Sequence, residues 1–201
     1  PGVAGRLFVA IEAGALVSSK DGGVHWEDRR PDGPIDTHTL VMHAQDPNRL
    51  YSAAGDGFMA HGRGYNESYD GGVTWQRPDD GLQHHYLWSL AVDSANSNTL
   101  VISASHSPFS AHSTAGDANS VVYRKQAGEA WQQVTAGLPE AAGTVVPVLA
   151  SHPGEAGVFY ALCNKGLYRS SDDGLNWEIL SLPWKAEYLQ QHQQALVISE
   201  V

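Results

Sequence analysis

The chain has 201 residues, of which 42% are hydrophobic and only 17% charged, a balance that suits a folded β-rich protein and excludes a disordered one. A formal net charge of −10, from 22 acidic and 12 basic side chains, repels phosphate backbones and argues against nucleic acid as a partner. No segment approaches the ~20 apolar residues of a membrane helix, no signal peptide is visible, and the sole cysteine, Cys163, excludes an internal disulfide, so a soluble chain is expected and its compartment stays open.

In chain order, residues 6–10 and 16–19 predict two strands. They lead into S-K-D-G-G-V-H-W from Ser19 to Trp26. Residues 39–42, a turn at 46–49 and residues 50–53 predict two more, and S-Y-D-G-G-V-T-W follows from Ser68 to Trp75. Residues 87–92 and 99–103 flank a turn at 94–98. A worn copy, R-K-Q-A-G-E-A-W, runs from Arg124 to Trp131. Residues 145–150 and 158–161 flank the turn at 152–154, a third strand spans 166–169, and S-S-D-D-G-L-N-W runs from Ser170 to Trp177. A further strand is expected from each Trp onward. Residues 184–194 leave room for a helical turn, and 195–199 predict one last strand.

Short β-branched and aromatic runs, bounded by Asp, Pro, Asn and Gly, are strand signals. Their repeat of roughly 50 residues is a propeller period. The expected fold is all-β: a β-propeller of four-stranded antiparallel blades, about four in this chain, within one domain over 1–201. The repeats divide as 1–30 (partial), 31–78, 79–135, 136–182, and 183–201 as a closing or next-blade strand. The first repeat lacks an innermost strand, which residues 195–199 could supply to close a four-bladed ring. A longer propeller with a missing N-terminal portion, or self-association of two chains sharing a ring, also accommodates the pattern.

The repeated box resembles the Asp-box, or BNR, pattern S-x-D-x-G-x-T-W of sialidases, sortilin-type receptors, xyloglucan-cleaving glycosidases and photosystem assembly factors. The resemblance covers nearly the whole chain. It implies a structural box on the face away from any active site. Chemistry agrees: Asp21, Asp70 and Asp172 can accept hydrogen bonds from amides of their own turn. Gly23, Gly72, Gly128 and Gly174 can take positive φ. Trp26, Trp75, Trp131 and Trp177 are expected to bury aromatic area between blades. The arginines form no carboxylate clamp and no F/Y-R-I-P motif, which argues against a sialidase.

The opposite face then becomes the candidate ligand face, because rigid scaffolds carry sites on their loops. Its loops hold Asp36 and His38; His61, Arg63 and Tyr65; His84, His85 and Tyr86; His106, Phe109 and His112; and Tyr188 and His192. The favoured reading is a scaffold binding a glycan, peptide or protein there, with no cofactor and no metal. A glycoside hydrolase would need paired carboxylates, for which Asp36, Glu67, Asp79, Asp80, Asp117 and Glu187 are candidates without a distinguished pair. A metal-assisted hydrolase would need three or four converging ligands, and no H-x-H or H-x-x-x-H spacing supports it.

Overall fold

The computed structural model describes residues 3–28, 30–115 and 117–199. Four antiparallel sheets follow one another along the chain. The first pairs β1 (Leu7–Ile11) with β2 (Ala15–Ser19), and a bridge between Ser18 and Glu27 stands where a further strand would lie. The second orders β3 (Thr37–Met42), β4 (Leu50–Ala54) and β5 (Tyr65–Ser68), with a bridge between Glu67 and Gln76. The third holds β6 (Tyr86–Val92), β7 (Leu100–Ser105), β8 (Val121–Lys125) and β9 (Gln132–Val134). The fourth holds β10 (Val148–Ser151), β11 (Phe159–Cys163), β12 (Gly166–Ser170) and β13 (Glu178–Ile179). This is an all-β stack of propeller blades, each sheet packed mainly on its neighbour in sequence with β3, β6 and β10 side by side.

Register sorts the loops. Val92 pairs with Leu100, and Leu100 with Lys125, so the turn after β6 and the box after β8 share one end. Tyr86 pairs with Ser105, and Ala104 with Val121, so the loops before β6 and after β7 share the other. Two single-turn helices sit in the strand-two-to-three loops, α1 (Asp56–Met59) and α2 (Pro108–Ala111).

At the box end, Ser68 Oγ accepts the Gly72 N–H at 2.8 Å and donates to Asp70 Oδ1 at 2.9 Å. Asp70 Oδ1 also accepts the amides of Val73 and Thr74, and Oδ2 accepts the Thr74 hydroxyl at 2.7 Å. Asp21 and Asp172 repeat this arrangement, with His25 and Asn176 in place of Thr74. Gly23, Gly72 and Gly174 stand at φ 93, 87 and 78°, a region costly for a side chain. Gly128 of the worn box keeps φ 75°, and there the backbone alone closes the turn, Glu129 N–H to Gln126 O.

Each box Trp packs on the preceding blade. Trp75 joins Phe8 and Leu16, Trp131 meets the Tyr65 ring edge-on at 4.9 Å, and Trp177 joins Val101 and Val122. All three are buried. Trp26 corrects the sequence expectation: it is 45% exposed, because no described blade lies on the side where its counterparts find theirs. Its indole N–H still bonds Gly23 O, as Trp177 bonds Gly174 O.

The chain's last segment differs from its expected form. A 3-10 helix, Ala186–Gln190, fills the predicted helical turn. Residues 195–199 form no strand among the described residues, and Val197 is 83% exposed. Among the described residues this segment does not pair with the free edge of β1, which is laddered only to β2.

Candidate functional site

The loop end gathers imidazoles and aromatic rings from successive blades. A bulge between Leu87 and Leu90 leaves β6 carbonyls free of the ladder. His38 Nδ1 donates to Leu87 O at 2.7 Å, and Thr39 Oγ1 donates to Trp88 O at 2.9 Å, stitching the second blade to the third. His38 is thereby held with its Nε2 3.6 Å from Asp36 Oδ2. Asp36 also accepts the Ala13 amide at 2.8 Å. Gly55 is required beside them, since a Cβ there would run into the Asp36 carboxylate and the His38 ring.

The His38 ring lies 5.0 Å from Tyr86 and 4.7 Å from Trp88. Trp88 meets His112 at 4.3 Å, and His112 meets His192 at 4.3 Å. Hydrogen bonds thread these rings. His192 Nε2 lies 2.8 Å from His112 Nδ1, and His112 Nε2 lies 3.0 Å from the Tyr86 hydroxyl. Gln194 Nε2 reaches His192 Nδ1 at 3.0 Å. One assignment satisfies all three: Gln194 donates to His192, His192 to His112, and His112 to the Tyr86 oxygen, with both imidazoles neutral. An added proton would set N–H against N–H. Burial, then the neighbouring His192 and His38, hold His112 down to about 4. Burial also lowers His192 and raises Tyr86.

A second cluster lies around the start of β6. His84 and His85 point apart, as adjacent residues of extended chain do. His84 Nδ1 lies 2.7 Å from the Tyr123 hydroxyl, and its ring 4.0 Å from His106. His85 stacks on His61 at 3.9 Å and 23°. Burial first, then His106 and His85, bring His84 down to about 4. Burial and His61 lower His85. Phe58, His61, Gln83, His85 and His106 line a pocket of about 200 Å³. A larger cavity of about 250 Å³ involves none of these histidines. It lies between the third and fourth blades, lined by Val122, Val134, Leu138, Cys163 and Tyr168.

Three expected site residues fall elsewhere. Tyr65 is fully buried in β5, its hydroxyl donating to Glu67 at 2.8 Å, so it is a core residue and no rim residue. Tyr188 packs on Trp184 at 5.4 Å, beside the β11–β12 hairpin that Trp184 caps through Asn164 O. Arg63 is exposed and joins neither cluster. Sequence reasoning missed Trp88, Phe58 and Met59. Trp88 sits inside a strand run, where an aromatic residue is normally core. Phe58 and Met59 lie on a helix too short to leave a periodic signal. Among the described residues, no three His, Cys, Asp or Glu side chains converge as a metal site. No helix of the structure is long and apolar enough to cross a membrane.

No family model matches the chain, and no curated protein matches it. Solved structures do. An ancestral GH74 enzyme superposes with a TM-score of 0.70 at 18% identity, over 91% of this chain and 23% of the enzyme. The GH74 xyloglucanase from Xanthomonas campestris gives 0.65 at 17%, over 90% and 29%. YCF48 bound to D1 peptide gives 0.54 at 16%, over 94% and 51%. At these identities the likeness is one of fold, and the chain spans about half or less of each structure's length.

Proposed function

We propose that the chain acts as a binding scaffold that holds a glycan or peptide non-covalently on its histidine-rich loop face. One observation carries the reading. His38, Tyr86, Trp88, His112 and His192, from three successive parts of the propeller, meet in ring contact within a neutral hydrogen-bonded network. Such a surface offers apolar faces with a few fixed polar atoms, which is how ligand sites are built. The solved structures of like fold include a protein bound to a peptide and a xyloglucanase, so both ligand classes suit the scaffold.

Glycoside cleavage is the competing reading, and it needs two carboxylates flanking a bond. Two of the candidate carboxylates, Asp36 and Glu67, and Asp56 beside them are engaged within the protein. Asp36 accepts the Ala13 amide, Asp56 accepts the amides of Ile35 and Asp36, and buried Glu67 accepts the hydroxyls of Tyr65 and Tyr69. Glycan and peptide arrays probed with the intact chain, followed by a hydrolysis assay on each bound glycan, test the proposal. His192→Ala is expected to weaken binding by about tenfold. Release of reducing sugar from any bound glycan would overturn the non-catalytic reading.

A further inference from the structure

The pocket framed by the second histidine cluster has a rim that the free protein leaves uncovered. Phe58 on α1 and Phe109 on α2 meet edge-on at 6.0 Å and 82°. Phe109 on α2 and Met59 on α1 are each 85% exposed. Two helical turns from adjacent blades thus hold large apolar side chains out into water beside a pocket whose lining carries no Lys, Arg, Asp or Glu. Exposed Met and aromatic residues beside a small pocket free of full charges mark protein interfaces, where a few anchors fill pockets.

We infer that this pocket is the seat of an aromatic side chain presented by an extended peptide segment of a partner protein, an inference that rests on the loop face being a binding surface. Size fits: about 200 Å³ accepts one aromatic ring, whereas ligand pockets for larger molecules run to roughly 300–1,000 Å³. Chemistry fits as well. One imidazole face each of His61 and His85 is spent on the other, and their edges, with N–H groups, are open to the face of an incoming ring.

A displayed random peptide library panned against the intact chain at pH 7.5 tests this. Captured peptides are expected to share a Phe, Tyr or Trp position. Replacing that residue by Ala, or introducing Phe109→Ser or Met59→Ser into the chain, is expected to weaken binding by about tenfold. Both sites on the chain are exposed, so folding is not at stake, and circular dichroism confirms it. Peptides without an aromatic position, or aromatic peptides indifferent to both variants, would overturn the inference. Glycans bound at the Trp88 surface while no peptide is captured would overturn it and leave the scaffold reading standing. Capture of neither would sink both.

Discussion

At the box end, three aspartates stand among N–H donors. At the loop end, seven histidines stand among one another. The carboxylates are kept charged: the amide of His25 and then its side chain bring Asp21 down to about 2. For Asp70 and Asp172 desolvation pushes the other way, and the hydrogen bonds from Thr74 and Asn176 outweigh it. His84 and His112 are pushed the other way, toward the neutral form, because burial and neighbouring imidazoles oppose a charge. A local turn that satisfies its own polar groups can be copied from blade to blade without regard to context. A cluster of rings drawn from different blades cannot. The repeated end therefore closes on itself blade by blade, and the unrepeated end is where side chains from different blades meet.

Variants can break that division. Trp177 fills the seam between the third and fourth blades, so Trp177→Ala is expected to cost about 3–5 kcal/mol of stability. Urea unfolding measures it. Ligand capture by the loop face, tested on the folded fraction, should survive. Loss of capture in a fully folded Trp177→Ala sample would show that the two ends are not separate.

Acid separates the ends by pH window. His84 and His112 titrate near 4 in the fold against 6.5 as the reference value. The unfolded chain takes up those protons first, so their contribution is complete above 6.5 and is lost as pH falls toward about 4. The loss amounts to about 1 kcal/mol for each imidazole once solvent screening is discounted. Asp70 and Asp172 are depressed below 3.8, so their contribution holds above that value and fades only as pH falls further. Unfolding free energy followed from pH 8 to 3 should therefore decline in two stages. His84→Asn with His112→Asn should flatten the first stage alone.

What the sequence disclosed follows the same division. Strands and boxes were legible because each is written in a short stretch: the run from Leu50 just after the turn at 46–49, or Asp70 two places after Ser68. The seven histidines were legible as a face, since register alone sends them there. Their pairing was not. His112 meets His192 because the loop after β7 and the segment after the fourth blade converge, a matter of blade offset that leaves no periodic trace. Tyr65 was misplaced because one position separates loop from strand, and the first residue of β5 turns inward onto Trp131. Asp172→Ala probes the legible part. It frees the Asn176 amide to water at an exposed turn, and is expected to cost about 1 kcal/mol. Thermal unfolding would report it, with peptide or glycan capture unchanged.

A comparably small effect is expected where the repeat itself is interrupted. Trp26 has the box, the turn and the indole bond of its counterparts, yet lacks a blade to lean on. Burial, and not residue type, sets the cost of losing an aromatic ring. Trp26→Ala in this chain, where just over half of the residue is covered, is therefore expected to cost about 1 kcal/mol. The identical chemical change at Trp177 costs several times more. A loss at Trp26 approaching that at Trp177 would mean that the first blade's outer face is covered in solution. Its concentration dependence would then decide whether a second copy does the covering.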